Sequence, residues 1–85
     1  MVSRTLTVSN PSGLHIRPAS VLVKAADRCQ SKVEIIYKYN IINARSLLNI
    51  LAASIPNGAQ MEIRCTGPSE AQDLETMLET MKHLE

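Results

Sequence analysis

Apolar and polar residues alternate from Val2 to Val8. Val2, Leu6 and Val8 fall on one side with Arg4, and Ser3, Thr5 and Thr7 on the other, the period of a half-buried strand. Asn10-Pro11-Ser12-Gly13 is turn chemistry. The period then changes. Ala19, Leu22, Val23 and Ala26 recur at helical spacing and predict a helix from Ile16 to about Arg28. Its opposite face carries Arg17, Ser20, Lys24 and Arg28, with Val21 among them. Alternation returns from Lys32 to Lys38, with Val33, Ile35 and Tyr37 on one face, and a short strand from Tyr39 to Asn43 completes a hairpin. The turn at Lys38-Tyr39-Asn40 lacks the Asn-Gly or Asp-Gly of tight turns, which leaves the hairpin register open.

Ser46 is a good N-cap for a short helix from Leu47 to about Ala53. Ile50 and Ala53 share one face of it, and Leu47, Leu48 and Leu51 another, more apolar surface than one buried face uses. Pro56 is expected to stop this helix. Gln60 to Thr66 alternates Met61, Ile63 and Cys65 against Glu62 and Arg64, a strand with Cys65 as a small core residue. Pro68-Ser69 opens the last helix, with Ser69 and Gln72 spaced as a capping box. Glu70 and Asp73 lie near its positive end, and Lys82 and His83 near its negative end. Ala71, Leu74, Met77, Leu78 and Met81 form its expected core stripe; His83 is expected in solvent. The order β-α-β-β-α-β-α, with strands solvated on one face, implies an antiparallel sheet with three helices on one side.

Composition narrows the function classes. Eighty-five residues without internal repeats or linkers make one domain, residues 1–85, with one core. Two Tyr are the only aromatics and the net charge is +1 with no basic run, so a base-stacking or nucleic-acid-binding module is not expected. The chain shows no signal-peptide core and no apolar run of membrane-spanning length, so direct membrane insertion is not expected. Cys29 and Cys65 are far apart and lack metal-ligand spacing; free thiols in a reducing cytosol are expected over a disulfide. No metal and no cofactor is implied.

The candidate chemistry sits in Ser12-Gly13-Leu14-His15-Ile16-Arg17-Pro18. If the helix starts at Ile16, His15 is its N-cap. Pro18 then lies in the first turn, where a missing N–H leaves nothing unpaired. Gly13 permits a sharp entry. The imidazole lies beside the unpaired amides of Ile16 and Arg17 with a guanidinium close by, a site for an anion such as phosphate. No Ser-His-Asp order, no clustered His/Cys/Asp set and no Gly-rich phosphate loop accompanies it.

Gly13-Leu14-His15-Ile16-Arg17-Pro18-Ala19 closely resembles the active-site signature of the HPr family, the histidine-containing phosphocarriers of the bacterial sugar phosphotransferase system. The resemblance covers the whole chain. Ser46-Leu47-Leu48 is similar to the family's regulatory serine and the helix after it. The resemblance implies an α/β (α+β) two-layer, open-faced sandwich with strand order 1-4-2-3. It implies a cytoplasmic, monomeric phosphoryl carrier, not a stand-alone enzyme. His15 would take the group on Nδ1 from enzyme I and pass it to sugar-specific IIA domains, with Arg17 stabilising it and Ser12, Ile16 and Pro18 supporting it. Partners would cover Ser20, Val21, Lys24, Leu47, Leu48 and Leu51. Ser46 would be phosphorylated by an HPr kinase/phosphorylase, which would bring in a transcriptional regulator. Two departures stand out: the family often has Gly in the hairpin turn and near the end of the short helix, where this chain has Lys38-Tyr39-Asn40 and Ser54. The alternatives are a regulatory interaction module acting through Ser46, and a carrier in a non-sugar phosphorelay.

Overall fold

A computed structural model describes residues 1–84; Glu85, the last residue of the expected domain, lies outside the described residues. The elements are β1 (Val2–Thr7), α1 (Ile16–Arg28), β2 (Lys32–Tyr37), β3 (Asn40–Asn43), α2 (Leu47–Ala53), β4 (Gln60–Thr66) and α3 (Glu70–Lys82). All strand pairs are antiparallel, in the order β1-β4-β2-β3. The helices cover one face of this sheet. Alternation decides which side chains they meet. Val33, Ile35 and Tyr37 of β2 and Met61, Ile63 and Cys65 of β4 point inward and are buried, beside Leu22, Ile50 and Met77 from the three helices. The outward residues pair across strands: Glu34 and Arg64 face each other in register and form an ion pair at 3.2 Å.

The hairpin is a tight two-residue turn despite its sequence. Tyr37 pairs with Asn40, and Lys38 and Tyr39 both adopt positive φ, 50° and 68°. These are the angles that Asn-Gly supplies without strain. The register is therefore set by burial of Ile35, Tyr37 and Ile42, which a one-residue slip would turn outward.

The short helix ends at Ala53, as expected, but Pro56 is not what stops it. Ser54 is in the left-handed region at φ 53°, ψ 52°, and its N–H donates to the Leu51 carbonyl. A serine thus takes the conformation that a C-terminal glycine usually fills, and Pro56 only follows the stop.

The start of α3 also departs from expectation. Ser69 is the N-cap but makes no cap bond, and no capping box with Gln72 forms. Its hydroxyl instead donates to Asp73 Oδ2 at 2.7 Å. Asp73 is buried and accepts from the Ser31 amide at 2.9 Å and from the Ser31 hydroxyl. A charged acceptor one turn ahead outcompetes the backbone for the serine. Ala71, expected in the core stripe, is exposed, whereas Leu74 and Met77 are buried.

Candidate functional site

The residues before α1 are laced to those after α2. Val8 N–H donates to Ala59 O at 2.8 Å, and Gly58 N–H returns to Val8 O at 2.7 Å. Asn10 O accepts from Gly13 N at 2.9 Å and closes a four-residue turn. Leu14 N–H then donates to Ile55 O at 2.9 Å. Only glycine fits at position 13: φ is +68°, and a Cβ there would meet the Ile55 carbonyl oxygen and stand 2.8 Å from Pro56 Cα. The Ser54 turn that ends α2 therefore supplies the backbone against which the start of α1 is set.

His15 is the N-cap of α1, extended at φ −78° and ψ −171°, and its ring makes no cap bond. The His15 carbonyl accepts the first helical bond, from Ala19 N at 3.0 Å. Pro18 has no N–H to satisfy and is buried against the core. Among the described residues, no acceptor meets the amides of Ile16 and Arg17. No acidic residue occupies the first turn, and the Arg17 side chain is exposed. The half-buried imidazole, two open amides and a free guanidinium thus share one helix start, which favours an anion. Ser12 is exposed on the preceding turn. The hydroxyl of Ser20 is committed to the Ile16 carbonyl at 2.7 Å, so its donor is held within the helix.

Ser46 caps α2 as its position suggests, accepting from Asn49 N at 3.2 Å. Its place relative to the His15 loop follows from the two helix ends. Leu14, at the start of α1, bonds Ile55 beyond the end of α2; Arg45, before α2, donates to Cys29 O at 2.6 Å, at the end of α1. Ser46 and the Ile55 carbonyl that meets Leu14 therefore stand at opposite ends of α2, about 10 Å of helix apart for seven residues. Arg45 also donates to Ser31 O at 3.0 Å, so its guanidinium ties the entry of α2 to the segment between α1 and β2.

The expected apolar face of α2 divides. Leu47 and Leu51 are partly buried and pack on the core; Leu48 is 79% exposed. Two residues of α1, Ile16 and Val21, are 60% and 46% exposed. The exposed large apolar residues of the two helices are therefore Leu48, Ile16 and Val21. Spacing separates Leu47 and Leu51 from Ile50 and leaves them partly exposed, while in a two-layer domain the helix flank also packs. Asn10 and Asn57, which brace the site, carry no local signal beyond turn chemistry.

The cysteines take no part. Both are buried free thiols. Burial pushes Cys65 up to about 11 and, with the Asp73 charge, raises Cys29, so neither is a ready thiolate nucleophile. Among the described residues no cluster of metal ligands exists, and no helix is long and apolar enough to cross a membrane.

The family model described as PTS HPr component phosphorylation site matches residues 2–83. The chain is 35% identical over 74 residues to phosphocarrier protein HPr of Treponema pallidum, covering 87% of this chain and 84% of that protein. The solved histidine-containing phosphocarrier protein of Mycoplasma is similar with a TM-score of 0.90 at 31% identity, covering 94% of this chain and 91% of that one. The catabolite repression containing protein Crh of Bacillus subtilis, described as a dimer with a swapped domain, is similar with a TM-score of 0.76 at 26% identity, covering 96% of this chain and 94% of that one.

Proposed function

The chain belongs to the HPr family of phosphotransferase-system phosphocarriers, carriers rather than catalysts, and on that premise we propose that it bears a transient phosphoryl group on His15. Enzyme I donates the group and sugar-specific IIA domains accept it, in the cytoplasm. A neutral imidazole nitrogen, Nδ1, attacks the phosphorus; the new N–P bond forms as the bond to the donor breaks. The acceptor's nucleophile later breaks the N–P bond in turn. The observation that carries this reading is the open start of α1: an N-cap histidine with no cap bond next to amides with no internal partner. Those amides and Arg17 hold the phosphoryl oxygens, with Ser12 close by and Pro18 fixing the turn. Few donors suit a carrier, because tight binding of the carried group would slow its departure.

Partners dock over Ser20, Val21 and Lys24 of α1 and the outward side of α2, where Leu48 supplies most of the exposed apolar surface. Leu47 and Leu51 support that surface from below. Ser46 is a regulatory phosphorylation site for an HPr kinase/phosphorylase. A helix start tolerates its phosphate. Ser46 opens α2, and the His15 loop bonds beyond the other end of that helix, about 10 Å of helix away, comparable with the screening length of roughly 8–10 Å at cellular ionic strength. The phosphate therefore acts on docking more than on the imidazole. The likeness to Crh supports a second role, in regulation through this face.

The test is transfer from phosphoenolpyruvate through enzyme I. Wild type gains acid-labile phosphate, and His15→Ala gains none while keeping its fold. Acid-labile phosphate on His15→Ala would remove the assignment.

A further inference from the structure

The loop that presents His15 is held by one buried polar residue. Asn10 is 4% exposed. Its carbonyl accepts from Gly13 N–H at 2.9 Å and from Asn57 Nδ2 at 2.9 Å. Its side-chain Nδ2 donates to the Leu84 carbonyl at 2.6 Å, 74 positions away. One residue thus joins three segments: the turn into α1, the turn out of α2 and the backbone just beyond α3. Leu84 is itself buried, at 5% exposed, so its carbonyl is a fixed anchor.

We infer that Asn10 is a positioning residue for His15, using the end of α3 as the reference against which the phosphoryl-accepting loop is aligned. This role presupposes that His15 carries the phosphoryl group. Gly13 sits at φ +68°, and the backbone of Ile55 and Pro56 packs against its Cα. That conformation is set by contacts from outside the loop, because Asn10 to Gly13 contains only one internal turn bond. Removing the Asn10 side chain frees the turn from Leu84 and leaves that buried carbonyl short of a donor. His15 is two residues beyond Gly13, so backbone drift there moves the imidazole relative to an incoming phosphorus. Reacting groups about 1 Å out of place lose roughly a hundredfold in rate; a tether loosened at one of its anchors loses less, about tenfold. Because Asn10 is buried, it cannot touch a partner. Its loss therefore lowers kcat and leaves KM for enzyme I unchanged.

The experiment compares Asn10→Ala and Asn10→Asp with wild type as substrates of enzyme I, at a temperature where circular dichroism shows each folded. Asn10→Asp keeps the shape but turns a carboxylate, not an amide donor, toward Leu84. Both variants should show the drop in kcat at constant KM. In the unphosphorylated protein, their His15 ring nitrogen resonances should shift and the Gly13 amide should exchange faster with solvent. Ile35→Val, a core change remote from the loop, controls for lost stability and should leave kcat and both signals alone. If Asn10 variants do not fold, Asn57→Ala decides: it removes one bond to the Asn10 carbonyl from an exposed side chain and should move kcat and the Gly13 amide in the same direction by less. Wild-type kcat with unchanged His15 and Gly13 signals, even alongside a lower melting point, overturns the inference. Failure of wild type to accept phosphate overturns the carrier reading instead, and the magnetic-resonance comparison still judges the positioning role.

Discussion

Two helices in this domain begin alike and end in opposite uses. Both α1 and α3 follow a turn that holds a glycine with positive φ, Gly13 and Gly67, and neither N-cap side chain, His15 or Ser69, makes a cap bond. At α3 the chain supplies its own anions. Glu70 accepts from Gly67 N at 3.0 Å and from the Met1 ammonium at 2.8 Å, and Asp73 gathers Ser31 and Ser69. At α1 the first turn holds no acid, and the exposed charge is the cation of Arg17. Each helix start carries roughly half a positive charge. In α3 it is neutralised from within and contributes to stability. In α1 it is left for an anion that arrives from outside.

The largest effect should come from opening the closed start. Asp73→Ala leaves the buried Ser31 amide without its acceptor and removes charged hydrogen bonds, so unfolding free energy should fall by about 2–3 kcal/mol. Urea denaturation measures it. A loss below about 0.5 kcal/mol would mean the cluster is ornamental. Phosphoryl transfer by this variant, while folded, should stay near wild type.

A pH series sharpens the same point. The hydrogen bonds from the Ser31 hydroxyl, then from Ser69 and the Ser31 amide, hold the Asp73 carboxyl below its ordinary value of 3.8, against the opposing effect of burial. A depressed carboxylate stabilises the fold fully above its unfolded value and loses that contribution as pH falls through the folded one. Wild type should therefore exceed Asp73→Asn in stability at neutral pH, and the gap should close only below about pH 4. A gap that persists unchanged at pH 2 would assign the effect to packing.

Closing the open start is the smallest change in stability and the clearest in function. Arg17→Glu puts an acid in the first turn of α1, as Glu70 is in α3. It should leave stability unchanged or raise it by about 0.3–1 kcal/mol. Acceptance of phosphate at His15 should nevertheless fall steeply, because the anion site is now filled by the chain. Undiminished transfer would show that the open charge is incidental.

The open start was legible in the sequence and the closed one was not, for a physical reason. His15, Arg17 and Pro18 lie within four residues, and the apolar spacing behind them sets the helix boundary at Ile16. Ser69 and Gln72 looked equally local. What decides α3 is Ser31, 42 positions from Asp73, which no periodicity reveals. The stop at Ser54 is hidden on the same grounds: its left-handed conformation is held by the Ile55 contact with the His15 loop, not by its own preference. The strand order, too, is not legible in the periodicity, since alternation marks faces and not neighbours.

The most direct measurement follows the backbone amides by magnetic resonance before and after enzyme I loads the protein from phosphoenolpyruvate. Phosphate should appear on His15, the largest amide shifts at Ile16 and Arg17, and resonances from Glu70 to Asp73 should not move. Phosphate on another residue, or a phosphorylated His15 with the Ile16 and Arg17 amides unmoved, would contradict it.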